Sequence, residues 1–171
     1  MAISMYSASI PVFTQYLTAM AAILKKAAEH CAAKKIDPAV LVGGRLYPDM
    51  FALARQVQIA TDHAKGAAAR LSGSDVPSFP DTEASFEELQ ARIAKTLDFI
   101  GSFKPGQIDG SDGKDIVLKI AGKDYPFKGA EYLTRFALPN FFFHVTTAYN
   151  ILRHSGVEIG KRDFLGATEQ K

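Results

Sequence analysis

A chain of 171 residues with 47% apolar and 22% charged residues has the composition of a soluble globular protein with enough mass for one substantial core. Its net charge of +2, with basic residues scattered and no basic stripe interleaved with aromatics, argues against nucleic-acid binding. The single cysteine, Cys31, excludes an internal disulfide and a cysteine-built zinc site, and its helical spacing from Leu24 and Ala27 reads as a small buried hydrophobe.

The first helix is predicted to begin after Ser9 as N-cap, with Pro11 in its first turn. Phe13, Leu17, Met20, Leu24, Ala27 and Cys31 then recur at alternating spacings of four and three, the seam of a helix packed nearly parallel to its neighbours. No basic stretch precedes these apolar residues, since the first lysine is Lys25, so no signal peptide is expected. Asp37, Pro38, Gly43 and Gly44 mark a connection. Pro48 suits the start of a second helix, whose stripe is Met50, Leu53, Val57, Ala60, Ala64, Ala67 and Leu71, closed by Gly73. The stretch from Ser72 to Thr82 reads as a loop.

Ser85 and Glu88 form a capping box for a third helix, with Leu89, Ile93, Leu97 and Ile100 as its apolar face and Gly101 as its stop. The period then changes: Ile116, Leu118 and Ile120 alternate with Val117, Lys119 and Ala121, before a turn at Gly122-Lys123. This predicts a two-stranded hairpin lying on the helices, with Pro126 making its second strand an edge. Ala130 to Ala137 is expected to form a short helix, and Pro139-Asn140 to interrupt the chain before a fourth long helix. On that last helix Phe141, His144, Val145, Ala148, Ile151, Leu152 and Ser155 share a face, and Gly156 ends it. The aperiodic tail runs from Val157 to Lys171, pinned by Phe164 and Leu165, with Asp163 pairing to Lys161, Arg162 or a helix end. The longest apolar run, Phe136 to Val145, is broken by Pro139, Asn140 and His144 and is too short to cross a bilayer. The expectation is one cytoplasmic domain over residues 1–171, without membrane or nucleic-acid partners.

Four long amphipathic helices predict an all-α four-helix bundle with a small β-hairpin between helices 3 and 4. About a dozen extended residues between Ser72 and Ser85 cover roughly 40 Å, enough to travel the length of a helix. The order is then up-down-down-up, which brings His63 on the second helix and His144 on the fourth to similar depth, at roughly 13 and 6 Å from one end of the bundle. His30 and His154 go to the opposite end as surface residues near helix C-termini. The imidazole pair has two readings: side chains hydrogen-bonded to neighbours such as Gln15, Tyr16 or Thr147, or the start of a site. Phe142 and Phe143 flank the core face and suit core or dimer packing. No P-loop, H-E-x-x-H or G-x-S-x-G motif is present.

The run ALPNFFFHVTTAYNILRHSGVEIGKRDFLG, with SMYSASIPVFTQYL and QIATDHAKGAAARLSG before it, resembles an uncharacterised family of the DinB/YfiT-like superfamily over essentially the whole chain. The resemblance implies an up-down-down-up bundle, often dimeric. It also implies a divalent metal, Zn or Ni, held by one histidine of the second helix and an H-x-x-x-H pair on the last. Some members act on low-molecular-weight thiols with that metal. His63 matches the second-helix ligand and His144 the first of the late pair, but the second falls on Ala148, which has no donor atom. Asp62, Gln15 and Tyr149 are the candidate substitutes, although Asp62 and Tyr149 lie one residue off the seam. Two functions stay open. One is a non-catalytic homodimer whose degenerate cleft of Gln15, Tyr16, His63, His144 and Ala148 binds a small molecule or serves structure alone; the other is a metal-dependent thiol transferase or hydrolase-like enzyme using His63 and His144.

Overall fold

The computed structural model describes residues 3–166, so the last five residues of the predicted tail and the first two of the predicted domain lie outside it. Among the described residues the protein is mostly helical, with one two-stranded antiparallel sheet. The long helices are α1 (Ile10–Lys34), α3 (Leu53–Ser72), α4 (Phe86–Gly101) and α7 (Leu138–His154). Short helices α2 (Pro38–Val42), α5 (Pro105–Ile108), α6 (Gly129–Glu131) and α8 (Lys161–Leu165) join them with strands β1 (Asp115–Ile120) and β2 (Lys123–Lys128). No helix among the described residues is long and apolar enough to cross a membrane.

Ser9 precedes α1 as predicted, but its hydroxyl donates back to the Met5 carbonyl at 2.6 Å instead of capping the helix. The predicted connection after α1 contains a helical turn, α2, because Asp37 accepts from the Ala39 N–H and Pro38 sits at its first position. The second long helix starts at Leu53, not Pro48. Arg45 donates to the carbonyls of Pro48 and Met50 and holds that segment in turns. α4 has the predicted capping box: Ser85 accepts from the Glu88 N–H, and the Glu88 carboxylate accepts from Ser85 N–H. Gly101 is its last helical residue and not a left-handed cap, since Ser102 stays right-handed.

The hairpin pairs Asp115 with Lys128 through Ile120 with Lys123. Its turn is Ala121-Gly122, both at positive φ, one residue earlier than predicted. Ile116 and Leu118 are buried against the helices, while Val117 faces outward. After β2 the chain does not break at Pro139. Pro139 has no N–H to give the carbonyl one turn back, and its ring would crowd that carbonyl. A π-helical turn over Tyr132–Ala137 relieves both, and the Asn140 side chain donates to the Phe136 carbonyl at 2.7 Å. The predicted short helix and fourth helix are thus one continuous helical path.

Phe13 packs edge-on against Phe141 near the starts of α1 and α7, and His30 approaches Gly156 at their ends, so these two helices run the same way. α3 and α7 run oppositely: Gln56 meets His144, His63 meets Phe136, and Arg70 meets Tyr132. The loop from Gly73 to Ser85 returns along α3, so that Asp81 pairs with Arg55 and Glu83 with Gln58 near the start of that helix. Buried Ala60, Ala64, Ala67 and Ala68 let the neighbours approach α3 closely. The tail docks on α1 through α8. Asp163 pairs with Lys26 at 2.6 Å, not with Lys161 or Arg162, and also accepts from the Gly160 N–H. These bonds hold its carboxyl below the ordinary carboxylate range.

Candidate functional site

His63 projects from α3 and His144 from α7, and their rings stack 5.9 Å apart between centroids with an interplanar angle of 15°. The two imidazoles that the topology was expected to bring to one level are in contact. Phe136 lies edge-on to His63 at 5.7 Å, and Phe143 edge-on to His144 at 5.1 Å. His144 is buried, and its Nδ1 lies 2.7 Å from the Gln56 Oε1. The Gln56 amide nitrogen donates to the Phe51 carbonyl at 3.1 Å, which turns Oε1 toward the imidazole. His144 therefore donates through Nδ1–H and keeps its lone pair on Nε2.

Burial pushes the His63 imidazole down from 6.5 to about 4, helped by His144 and Arg70 and opposed by Asp62. Burial, then the Arg55 charge, lowers His144 in the same direction. Both rings are neutral at neutral pH. Folding thus favours the neutral form of His63, whereas the unfolded chain takes up a proton once pH falls below 6.5. Stability from this group is complete above that pH and drains as pH falls through about 4, at up to about 1.4 kcal/mol per pH unit. Urea unfolding at pH 7.5 and 4.5 should show a smaller acid loss in His63→Leu than in the parent. Equal losses would assign the drop to other groups.

The other residues predicted to line this cleft lie elsewhere. Gln15 donates its amide to the Leu165 carbonyl at 2.8 Å, and Tyr16 packs on Phe142 and Phe164. Ala148 is buried with Met20, Leu24 and Leu152 around a small cavity that Phe164 closes. The reason is helical geometry: four residues past His144 the chain has turned about 40° beyond a full revolution, from the α3 side toward α1. Tyr149 likewise packs on Phe164. Asp62 is engaged by Lys65 at 2.6 Å and Arg92 at 2.9 Å. Among the described residues no three His, Cys, Asp or Glu side chains gather where a metal ion would be held. The donor set does not fit a three-ligand metal centre.

Three contributors escaped the sequence reading: Gln56, Phe136 and Arg70. Gln56 and Arg70 stand seven residues before and after His63, on the same face of α3, and that spacing was the available signal. Phe136 reaches the site only because of the π turn.

Residues 5–165 match the model of a family described as a domain of unknown function, DUF1993. Comparison with curated proteins finds no match. Among solved structures, a DinB family member protein from Shewanella denitrificans is similar, at 40% identity over 97% of this chain and 94% of that one, with a TM-score of 0.87.

Proposed function

The chain belongs to the DUF1993 family of DinB-like proteins, and on that premise we propose that it is a non-catalytic, small-molecule-binding homodimer of the cytoplasm, one domain built as an up-down-down-up four-helix bundle. The helix directions support the bundle order: α1 and α7 run together, α3 opposes α7, and the loop before α4 runs back along α3. One observation carries the binding role. Two neutral imidazoles lie together between aromatic side chains, and among the described residues no third His, Cys, Asp or Glu joins them. With the His144 Nδ1–H taken by Gln56, the pair offers the Nε2 acceptor of His144 and a donor and an acceptor on His63, suited to orienting a ligand and poorly suited to fixing an ion. Exposed Phe51 and Phe143 give self-association an apolar surface to cover.

Metal analysis of protein purified without a histidine tag, before and after incubation with Zn²⁺ or Ni²⁺, tests this reading against a metal-dependent thiol transferase or hydrolase. The expected result is well below one equivalent of bound metal and no metal-dependent turnover of thiol conjugates. Stoichiometric metal that His144→Ala abolishes, together with such turnover, would overturn the proposal.

A further inference from the structure

The structure assigns a ligand class to this cleft: we propose a small organic anion with an apolar body, its charge held by Arg70 beside the two imidazoles. The inference rests on the ligand-binding reading above and deepens it. Arg70 is half-buried on α3, seven residues after His63 and on the same face. Its guanidinium folds back along the helix over Gly66, toward His63: a Cβ at position 66 would meet the Arg70 Nη1 at 2.5 Å and little else. A glycine inside a helix is less favourable than alanine, and here the space it leaves is filled by that guanidinium.

The other buried and half-buried basic groups of α3 and α4 are matched by carboxylates. Arg55 pairs with Asp81, Lys65 with Asp62, and Arg92 with Asp62, Asp81 and Glu83. Arg70 has no carboxylate partner among the described residues. It donates to the Tyr132 hydroxyl at 3.1 Å and lies 5.8 Å from that ring's centroid. The remaining donors of its fork suit two oxygens of one anion. The aromatic row is continuous: Tyr132 stacks on Phe136, Phe136 meets His63, and His63 meets His144. An anion seated at Arg70 would therefore lay an apolar body along Phe136 toward the imidazoles, where the neutral His63 ring has an N–H to donate and neither ring carries a charge.

Benzoate, its uncharged analogue benzamide and inorganic phosphate are suitable probes, titrated while the His63 and His144 ring signals are followed by NMR. Benzoate should move both signals saturably, with benzamide and phosphate weaker by about tenfold or more. Arg70→Gln should weaken benzoate by a similar factor and leave benzamide unchanged. Arg70→Lys should restore part of the loss, and Gly66→Ala should weaken benzoate by crowding the guanidinium. Equal binding of benzoate and benzamide, or benzoate binding unaffected by Arg70→Gln in a variant of native spectrum, would overturn the anion assignment and leave the cleft standing. Phosphate binding as tightly as benzoate would overturn the apolar body. Ring signals unmoved by any probe would remove the ligand-binding reading itself.

Discussion

Replacing Arg92 by methionine should lower the unfolding free energy by about 3 kcal/mol, read as a fall in the urea midpoint at constant slope. The Arg92 side chain is 1% exposed, and its donors serve five partners at once. Nε reaches the buried Thr61 hydroxyl at 2.7 Å, Nη1 reaches the Pro80 carbonyl at 2.9 Å and Glu83 at 3.1 Å, and Nη2 lies 2.9 Å from Asp62 and 3.0 Å from Asp81. Asp62 and Asp81 are partly exposed and can rehydrate when the cation is gone. Glu83, 13% exposed, and the buried Thr61 hydroxyl rehydrate least, and the bonds they lose dominate the cost. Lysine should not rescue the variant, because a point charge cannot span acceptors arranged around a planar fork. The loop between α3 and α4 should also become open to limited proteolysis between residues 74 and 82. A loss below 1 kcal/mol would mean that the carboxylates find other partners.

Phe141→Ala should cost about 4 kcal/mol, the range for truncating a fully buried aromatic. Phe141 has no exposed surface and meets Phe13 edge-on at 4.9 Å, so both the transfer term and the cavity term apply. Phe141→Leu keeps most of the volume and should cost about 1.5 kcal/mol or less. Because Phe141 precedes His144 by less than one turn, the alanine variant should also shift the His144 ring signal in NMR spectra. Chemical denaturation of the two variants side by side checks the ratio; equal losses would show that shape, and not volume, sets the packing there.

Much of this molecule could be read from residue spacing. Seams on α1, α3, α4 and α7 were legible because burial against helices imposes a period that side chains must obey. The α4 capping box and the hairpin were legible because each depends on local chemistry within a few residues. Helix starts were harder. Pro48 looked like a helix opening, yet Arg45 claims the carbonyls of that segment, and nothing local announces where a long side chain will reach. Pro139 looked like a break because the sequence does not show that the preceding turn can widen. The meeting of His63 and His144 followed from loop length and helix direction alone. Their surroundings did not: Gln15 and Tyr16 were near neighbours in pattern, but the docking of α8 captured both. Gln56 stands between the stripe residues Leu53 and Val57 and was not singled out, although a buried imidazole requires such a partner.

The widened turn at Tyr132–Ala137 also fixes a phase. It spends an extra residue on the winding between the hairpin and α7. Deleting one residue there, such as Thr134, would restore regular winding and swing everything upstream about 100° around the axis. Tyr132 would leave the histidine side, and the sheet would be carried off the body that covers Ile116 and Leu118. A single codon thus serves as the dial that keeps two otherwise independent pieces of the protein in step.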